Sequence, residues 1–234
     1  MEGVTGSIPV SSTKKSIDTK RKNISQLISN IPAFLLTTLL LAMVPGQGVA
    51  MVLRQSILGG KKAALFSVFG NSLGLFIWGT LSALGLSTIF AKSHLAFSLL
   101  KWTGVTFLVF LSIQTLITLK NEYGKFDLES SGENRPWPAL RLGLITNLTN
   151  VKAAVFAVAF LPQFVPTNFS LGWGIFIFGS IWPLVSMSWY AFLVWTVDKS
   201  SIFIQKAQIR RALTAISAIG ILLIAMGLAF SSAR

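Results

Sequence analysis

"AMVPGQGVAMVLRQ", residues 42–55, puts Pro45 and Gly46 at the centre of an otherwise apolar run. Proline removes one helical hydrogen bond and clashes with the carbonyl four residues before it, and glycine loosens the backbone further. In hydrocarbon each unpaired backbone group costs on the order of several kcal/mol, so a break there survives only where protein or a water-filled cavity satisfies the freed groups. Two readings compete at this point. One is a plain proline kink, common in membrane helices; the other is an interruption that builds a site.

The surrounding chain is that of a membrane protein. It has 234 residues, 53% of them hydrophobic and only 12% charged, with a mean hydropathy of +0.69; a soluble domain would be about a quarter charged. The apolar residues fall into six blocks, at approximately 31–58, 62–90, 95–119, 139–162, 169–196 and 210–231. Each is long enough to cross a hydrocarbon core of roughly 30 Å as helix. None alternates with period two, so they read as helices rather than barrel strands. The expected fold is therefore all-α and polytopic, with six transmembrane helices. The absence of cysteine excludes disulfides and thiolate chemistry. The formal charge of +13 is scattered among loops. On such a chain it reads as orientation and attraction to an anionic bilayer, with no nucleic-acid partner.

Residues 1–29 are rich in Ser, Thr and Lys and end in Lys20-Arg21-Lys22, which reads as a disordered tail. A cleaved signal peptide fits less well, because the apolar run continues past any cleavage point and no small-residue site is present. The membrane region, 30–234, divides at "KNEYGKFDLESSGENRPWP", Lys120–Pro138, into one half at about 30–120 and another at about 139–234. Lys and Arg are concentrated in loops one, three and five (Arg54, Lys61, Lys62; Lys120, Lys125, Arg135, Arg141; Lys199, Lys206, Arg210, Arg211). The opposite side has Lys92, Lys101 and Arg234. That bias places the odd loops in the cytoplasm and both termini outside; the basic tail argues for the reverse.

The first helix of the second half, "LRLGLITNLTNVKAAVFAVAFLPQF" (140–164), is also interrupted by polar residues, Asn147, Thr149, Asn150 and Lys152. Two halves of three spans have opposite orientations, and interruptions at matching positions in inverted halves point to a transporter site near the midplane. If the helix restarts after Pro45-Gly46, the amides around Gln47, Gly48 and Val49 face inward with the positive end of a helix dipole, ready for a carboxylate. Lys152 lies about ten residues from either end of its span, where a charge costs at least about 2.5–3.5 kcal/mol and faces a cavity or partner. No acidic residue lies well inside a span, so its charge must be met by water, by carbonyls or amides such as Asn147 and Asn150, or by substrate. Ser67, Gly70, Asn71, Gly74 and Trp78 form one small, polar face of the second span. Gly70-x-x-x-Gly74 is a helix-packing motif that leaves a homodimer open. Gln114, Pro183, Trp173, Trp182 and Trp189 are weaker candidates. No clustered metal ligands, paired carboxylates or nucleophile–His arrangement lies in the spans, which speaks against a metal site, a cofactor and an enzyme.

"VPGQGVAMVLRQSILGGKKAALFSVFGNSLG" (44–74) together with "GLITNLTNVKAAVFAVAFLPQFV" (143–165) resembles the LysE/RhtB family of bacterial amino-acid exporters. That pattern has a Pro-Gly-Pro-Asn-type break, a basic Gly-rich turn, a Gly-x-x-x-Gly helix, and later Asn-x-x-Asn-Pro-Lys-Ala-Ala running into Phe-Leu-Pro-Gln-Phe. The likeness extends from about residue 31 to the end. It implies a six-span inner-membrane exporter of amino acids or related metabolites driven by an ion gradient. Its motif positions fall on Pro45, Gly46, Gly70, Gly74, Asn147, Asn150 and Lys152. Gln47 and Gly48 replace the second Pro and the Asn of the first motif, Val151 replaces a Pro, and Leu75 stands where many relatives carry an acid. The expected activity is alternating-access export of a small polar metabolite, a neutral amino acid or derivative. Pro45, Gly46, Gln47, Gly48, Asn71, Asn147, Asn150 and Lys152 would line its site, and a proton would be the coupling ion, carried by Lys152. The alternative is a non-transporting membrane protein of the same fold with an assembly or regulatory role, which the departures at Gln47, Gly48 and Val151 keep open.

Overall fold

Helix is the only regular structure among the residues described by this computed structural model, 10–44, 46–90, 94–120, 134–205 and 207–230. The elements are α1 (Val10–Ser29), α2 (Ile31–Met43), α3 (Gln47–Arg54), α4 (Gly60–Phe90), α5 (His94–Lys120), α6 (Pro136–Leu148), α7 (Val151–Val155), α8 (Leu171–Gln205) and α9 (Ala207–Phe230). Short π-helical turns follow α3 (Gln55–Gly59) and α7 (Phe156–Phe160), and a 3-10 turn covers Leu161–Phe164. Prolines open α2 and α6, where a missing amide costs nothing and the fixed φ favours the first turn.

Both expected interruptions fall where polar or helix-breaking residues stand. α2 ends at Met43 and α3 starts at Gln47, with Gly46 fully extended at φ −178°; Pro45 itself lies outside the described residues. The second break falls at Thr149–Asn150, where the two pieces of helix are bent by 56°. Among the described residues three helical stretches can cross a membrane by length and apolarity, Ile17–Met43, Gln47–Gly85 and Leu171–Val197, and the bent pair Pro136–Leu148 plus Val151–Phe164 makes a fourth. The apolar stretches Lys101–Ile117 and Thr214–Gly227, in α5 and α9, are shorter. At Gly60 φ is +78°, a conformation that glycine adopts without a Cβ penalty. Beyond it Ala64 and Val68 of α4 share one apolar cluster with Val49, Val52 and Leu53 of α3.

The amino-terminal segment departs from expectation. Residues 10–29 form helix α1 rather than a disordered tail. The polar composition hides an apolar stripe, Ile17, Ile24, Leu27 and Ile28, at helical spacing. Leu27 is buried in the main core, and the Asn23 side-chain amide donates to the Asn168 carbonyl at 2.8 Å. One residue past α1, Asn30 donates to the Phe164 carbonyl at 2.8 Å.

Glycine sets how closely α4 approaches its neighbours. A Cβ on Gly70 would overlap the Leu140 carbonyl of α6, and one on Gly143 would overlap the Ser67 carbonyl of α4. A Cβ on Gly79 would lie 2.8 Å from Cα of Gly179 in α8. The Gly70/Gly74 motif therefore packs within the chain, against α6. Farther out, Ser112 of α5 donates to the Ala218 carbonyl of α9 at 2.7 Å. Gly143→Val should lower the thermal stability of the detergent-solubilised protein by about 1–3 kcal/mol, because backbone rather than a flexible side chain must move. Gly85→Ala, with nothing within 4 Å of the new methyl group, should leave stability unchanged or slightly raised.

Candidate functional site

The two breaks meet. Lys152, in the first turn after the second break, sends its ammonium across to the end of α2, where Nζ donates to the carbonyls of Leu41 at 3.1 Å and Val44 at 3.4 Å. The last carbonyls of a helix have no intrahelical partner and carry the negative end of its dipole. A cation there is stabilised without a carboxylate. A Cβ on Gly46 would lie 3.8 Å from the same ammonium, an ordinary contact distance, which places the first break directly beside the lysine.

The second break satisfies its own backbone. Asn150 is the N-cap of α7, its side-chain oxygen accepting from the Lys152 amide at 3.1 Å. The Asn147 carbonyl accepts from the Asn150 amide at 3.0 Å and from the Trp78 indole at 3.4 Å. The Asn147 side chain, buried, donates to Asn71 Oδ1 on α4 at 3.1 Å. Its own Oδ1 is buried without a partner among the described residues. The Asn147 side chain fits only because position 74 is glycine, whose added Cβ would lie 2.7 Å from the Asn147 Cβ.

Asn71, Asn147, Asn150 and Lys152 line one cavity with Trp182, Ser186 and Tyr190 of α8. Its volume is about 20 Å³, room for about one water molecule and far too little for an amino acid. On one side it is shut by packed rings. Phe34 lies 4.7 Å from Phe178 and 5.0 Å from Phe164, and Phe156 lies 4.8 Å from Trp182, between ring centroids. Toward the loop that carries Lys61 and Lys62 lies a larger vestibule of about 400 Å³, lined by residues of α3, the π-turn after it and α6.

The sequence-predicted residues are thus only partly brought together. Asn71, Asn147, Asn150 and Lys152 share the cavity, with Gly46 at its edge. Gln47 is exposed and faces the vestibule instead. Gly48 is buried against Tyr190, whose hydroxyl would lie 2.6 Å from an added Cβ. Pro45 lies outside the described residues. Gly70 contributes to helix packing, and Gly74 makes room for Asn147. Ser186 and Tyr190, which are hydrogen-bonded to each other, have no counterpart among the sequence candidates. Their signal is Trp182, Ser186 and Tyr190 at spacings of four, a single helix face within an apolar span.

The LysE type translocator family matches residues 39–232, and the chain belongs to that family. It is an integral, multi-pass membrane protein. It is 25% identical over 203 residues to the uncharacterized membrane protein YrhP of Bacillus subtilis, covering 84% of this chain and 95% of that one. It is 37% identical over 134 residues to the homoserine/homoserine lactone efflux protein of Salmonella typhimurium, covering 57% of this chain and 63% of the relative. An uncharacterized membrane protein of Vibrio cholerae is 33% identical over 145 residues, covering 58% and 65%. The matches to the Salmonella and Vibrio proteins span less than two thirds of those chains. No solved structure matches this chain.

Asn71→Leu should cost about 1–3 kcal/mol of thermal stability by leaving a buried amide unpaired. Adding Asn147→Leu should recover part of that loss in a double-mutant cycle. Additive effects would mean that the two amides are not coupled.

Proposed function

We propose that this protein exports small polar metabolites from the cytoplasm, most favourably neutral amino acids or derivatives such as homoserine. The observation that carries this reading is Lys152, a cation from one interrupted helix held by the carbonyl end of the other, above a closed polar cavity. Membership of a translocator family and the efflux function named for the Salmonella relative support it. In this reading the chain has six spans arranged as two inverted three-helix halves in a bacterial inner membrane. The loop charges put the Lys61/Lys62 side in the cytoplasm.

The mechanism follows from what holds Lys152. Two neutral carbonyls are weaker partners than a carboxylate. A substrate arriving from the vestibule side can therefore draw the ammonium away from Leu41 and Val44. That exchange unlocks α2 from α7 and lets the halves rock about the site. The amides after Gly46 receive the same carboxylate, while Asn71, Asn147 and Asn150 supply neutral hydrogen bonds. Opening the far side requires the rings around Phe34 and Phe178 to separate. An ion gradient drives the cycle, with a proton on Lys152 as the coupling charge. With no acidic side chain lining the cavity among the described residues, a neutral amino acid is preferred to a lysine-like cation.

Cells loaded with a panel of amino acids through peptides should release a neutral member faster with the protein than without it. Lys152→Ala should cut that release by about tenfold or more at equal membrane abundance, and Pro45→Ala should weaken it. Release of arginine or lysine but not of neutral amino acids would overturn the substrate assignment, and equal release by Lys152→Ala would overturn the role of the lysine.

A further inference from the structure

The export reading uses the larger cavity only as an approach. The vestibule of about 400 Å³ falls in the range of small-molecule sites. Its polar lining comes from three places: Gln47 at the start of α3, Arg54 and Gln55 at its end, and Thr146 and Thr149 at the end of α6. Among the described residues, Arg54 is the only charged one in that lining. Gln55, a buried glutamine, begins the π-turn, a departure from α-helix that recurs at functional sites.

The threonine geometry adds a second requirement. Thr149 Oγ1 donates back to the Ile145 carbonyl at 2.9 Å and to that of Thr146 at 3.4 Å. Its proton is engaged within the helix, so toward the vestibule the exposed hydroxyl oxygen offers lone pairs, an acceptor for an ammonium. Arg54 offers a planar fork of donors suited to a carboxylate. A cationic wall and a hydroxyl-acceptor wall face one volume large enough for a small α-amino acid. The central cavity, at about 20 Å³, is not.

We propose that this vestibule is a separate binding site that takes a small zwitterionic amino acid before it reaches Lys152. Arg54 binds the carboxylate and Thr149 accepts from the ammonium. The proposal rests on the export reading and adds to it a first station that selects by the carboxylate. Homoserine and homoserine lactone discriminate, because they share the ammonium while only homoserine has a free carboxylate.

Equilibrium binding of radiolabelled homoserine and homoserine lactone to the full chain tests this. The chain is placed in phosphatidylcholine nanodiscs, which offer no anionic headgroup to occupy Arg54. Arg54→Gln should weaken homoserine by about tenfold while changing the lactone by less than about twofold. Ile145→Trp, at an exposed position on the wall of the vestibule, should weaken both by filling the space. It decides the matter alone if Arg54→Gln fails to fold. Wild-type binding of homoserine by both variants would overturn the vestibule site and leave export through the central site standing. Equal weakening of the two ligands by Arg54→Gln would overturn the carboxylate assignment. A wild-type protein that binds neither ligand would overturn the site together with the reading on which it rests.

Discussion

One half-buried contact organises this protein: the ammonium of Lys152 against the carbonyls of Leu41 and Val44. A helix broken inside a membrane leaves carbonyls that neither lipid nor the next turn can satisfy, and a lysine inside a membrane has a charge that lipid cannot solvate. Each fault is the other's remedy. The break at residues 44–46 supplies the partial negative charge that lets Lys152 exist at that depth, and Lys152 supplies the donors that let α2 stop there. Removing either leaves the other exposed to a cost of several kcal/mol.

Everything packed around that contact positions it. α4 reaches the centre because Gly70 and Gly79, with Gly143 and Gly179 opposite, bring backbones together where a methyl group would collide, while Gly74 leaves room for the Asn147 side chain. That closeness delivers Asn71 to Asn147, and Asn150 then starts the short helix that carries Lys152. Ser82 of α4 donates to the Ala157 carbonyl at 2.6 Å within the second π-turn, so the irregular stretch after α7 also has a fixed partner. The aromatic cluster of Phe34, Phe156, Phe164, Phe178 and Trp182 closes one side, whereas polar side chains line the vestibule on the other.

Much of this was legible in the residues themselves. Pro45-Gly46 and Asn147–Lys152 mark both breaks, because no membrane helix carries such residues at its middle without a compensating partner. What stayed hidden was the pairing. Nothing in the local sequence says that Lys152 would find the carbonyls of Leu41 and Val44 rather than the Asn147 and Asn150 side chains. That depends on how α2 and α7 cross. Gln47 looked like part of the same site by proximity in sequence, yet one residue of helix turns it toward the vestibule. The amino-terminal helix was obscured for the opposite reason. Its polar composition outweighed the four-residue apolar stripe around Leu27, and an average over a segment cannot reveal a periodic face. Ser186 and Tyr190 were concealed inside an apolar span with a regular spacing of four and no breaker to draw attention to them.

The central claim is that Lys152 holds the two breaks together over a shut cavity, and thiol accessibility tests it most directly. The chain has no cysteine, so a single Ser186→Cys, buried in the cavity wall, reports on that space alone. Its rate of reaction with a charged, water-soluble thiol reagent should rise by about tenfold or more when Lys152→Ala is added, since loss of the clamp admits water. A Ser112→Cys control, buried between α5 and α9, should remain unreactive in both backgrounds. An unchanged rate at position 186 would contradict the account, because the breaks would then stay closed without the lysine.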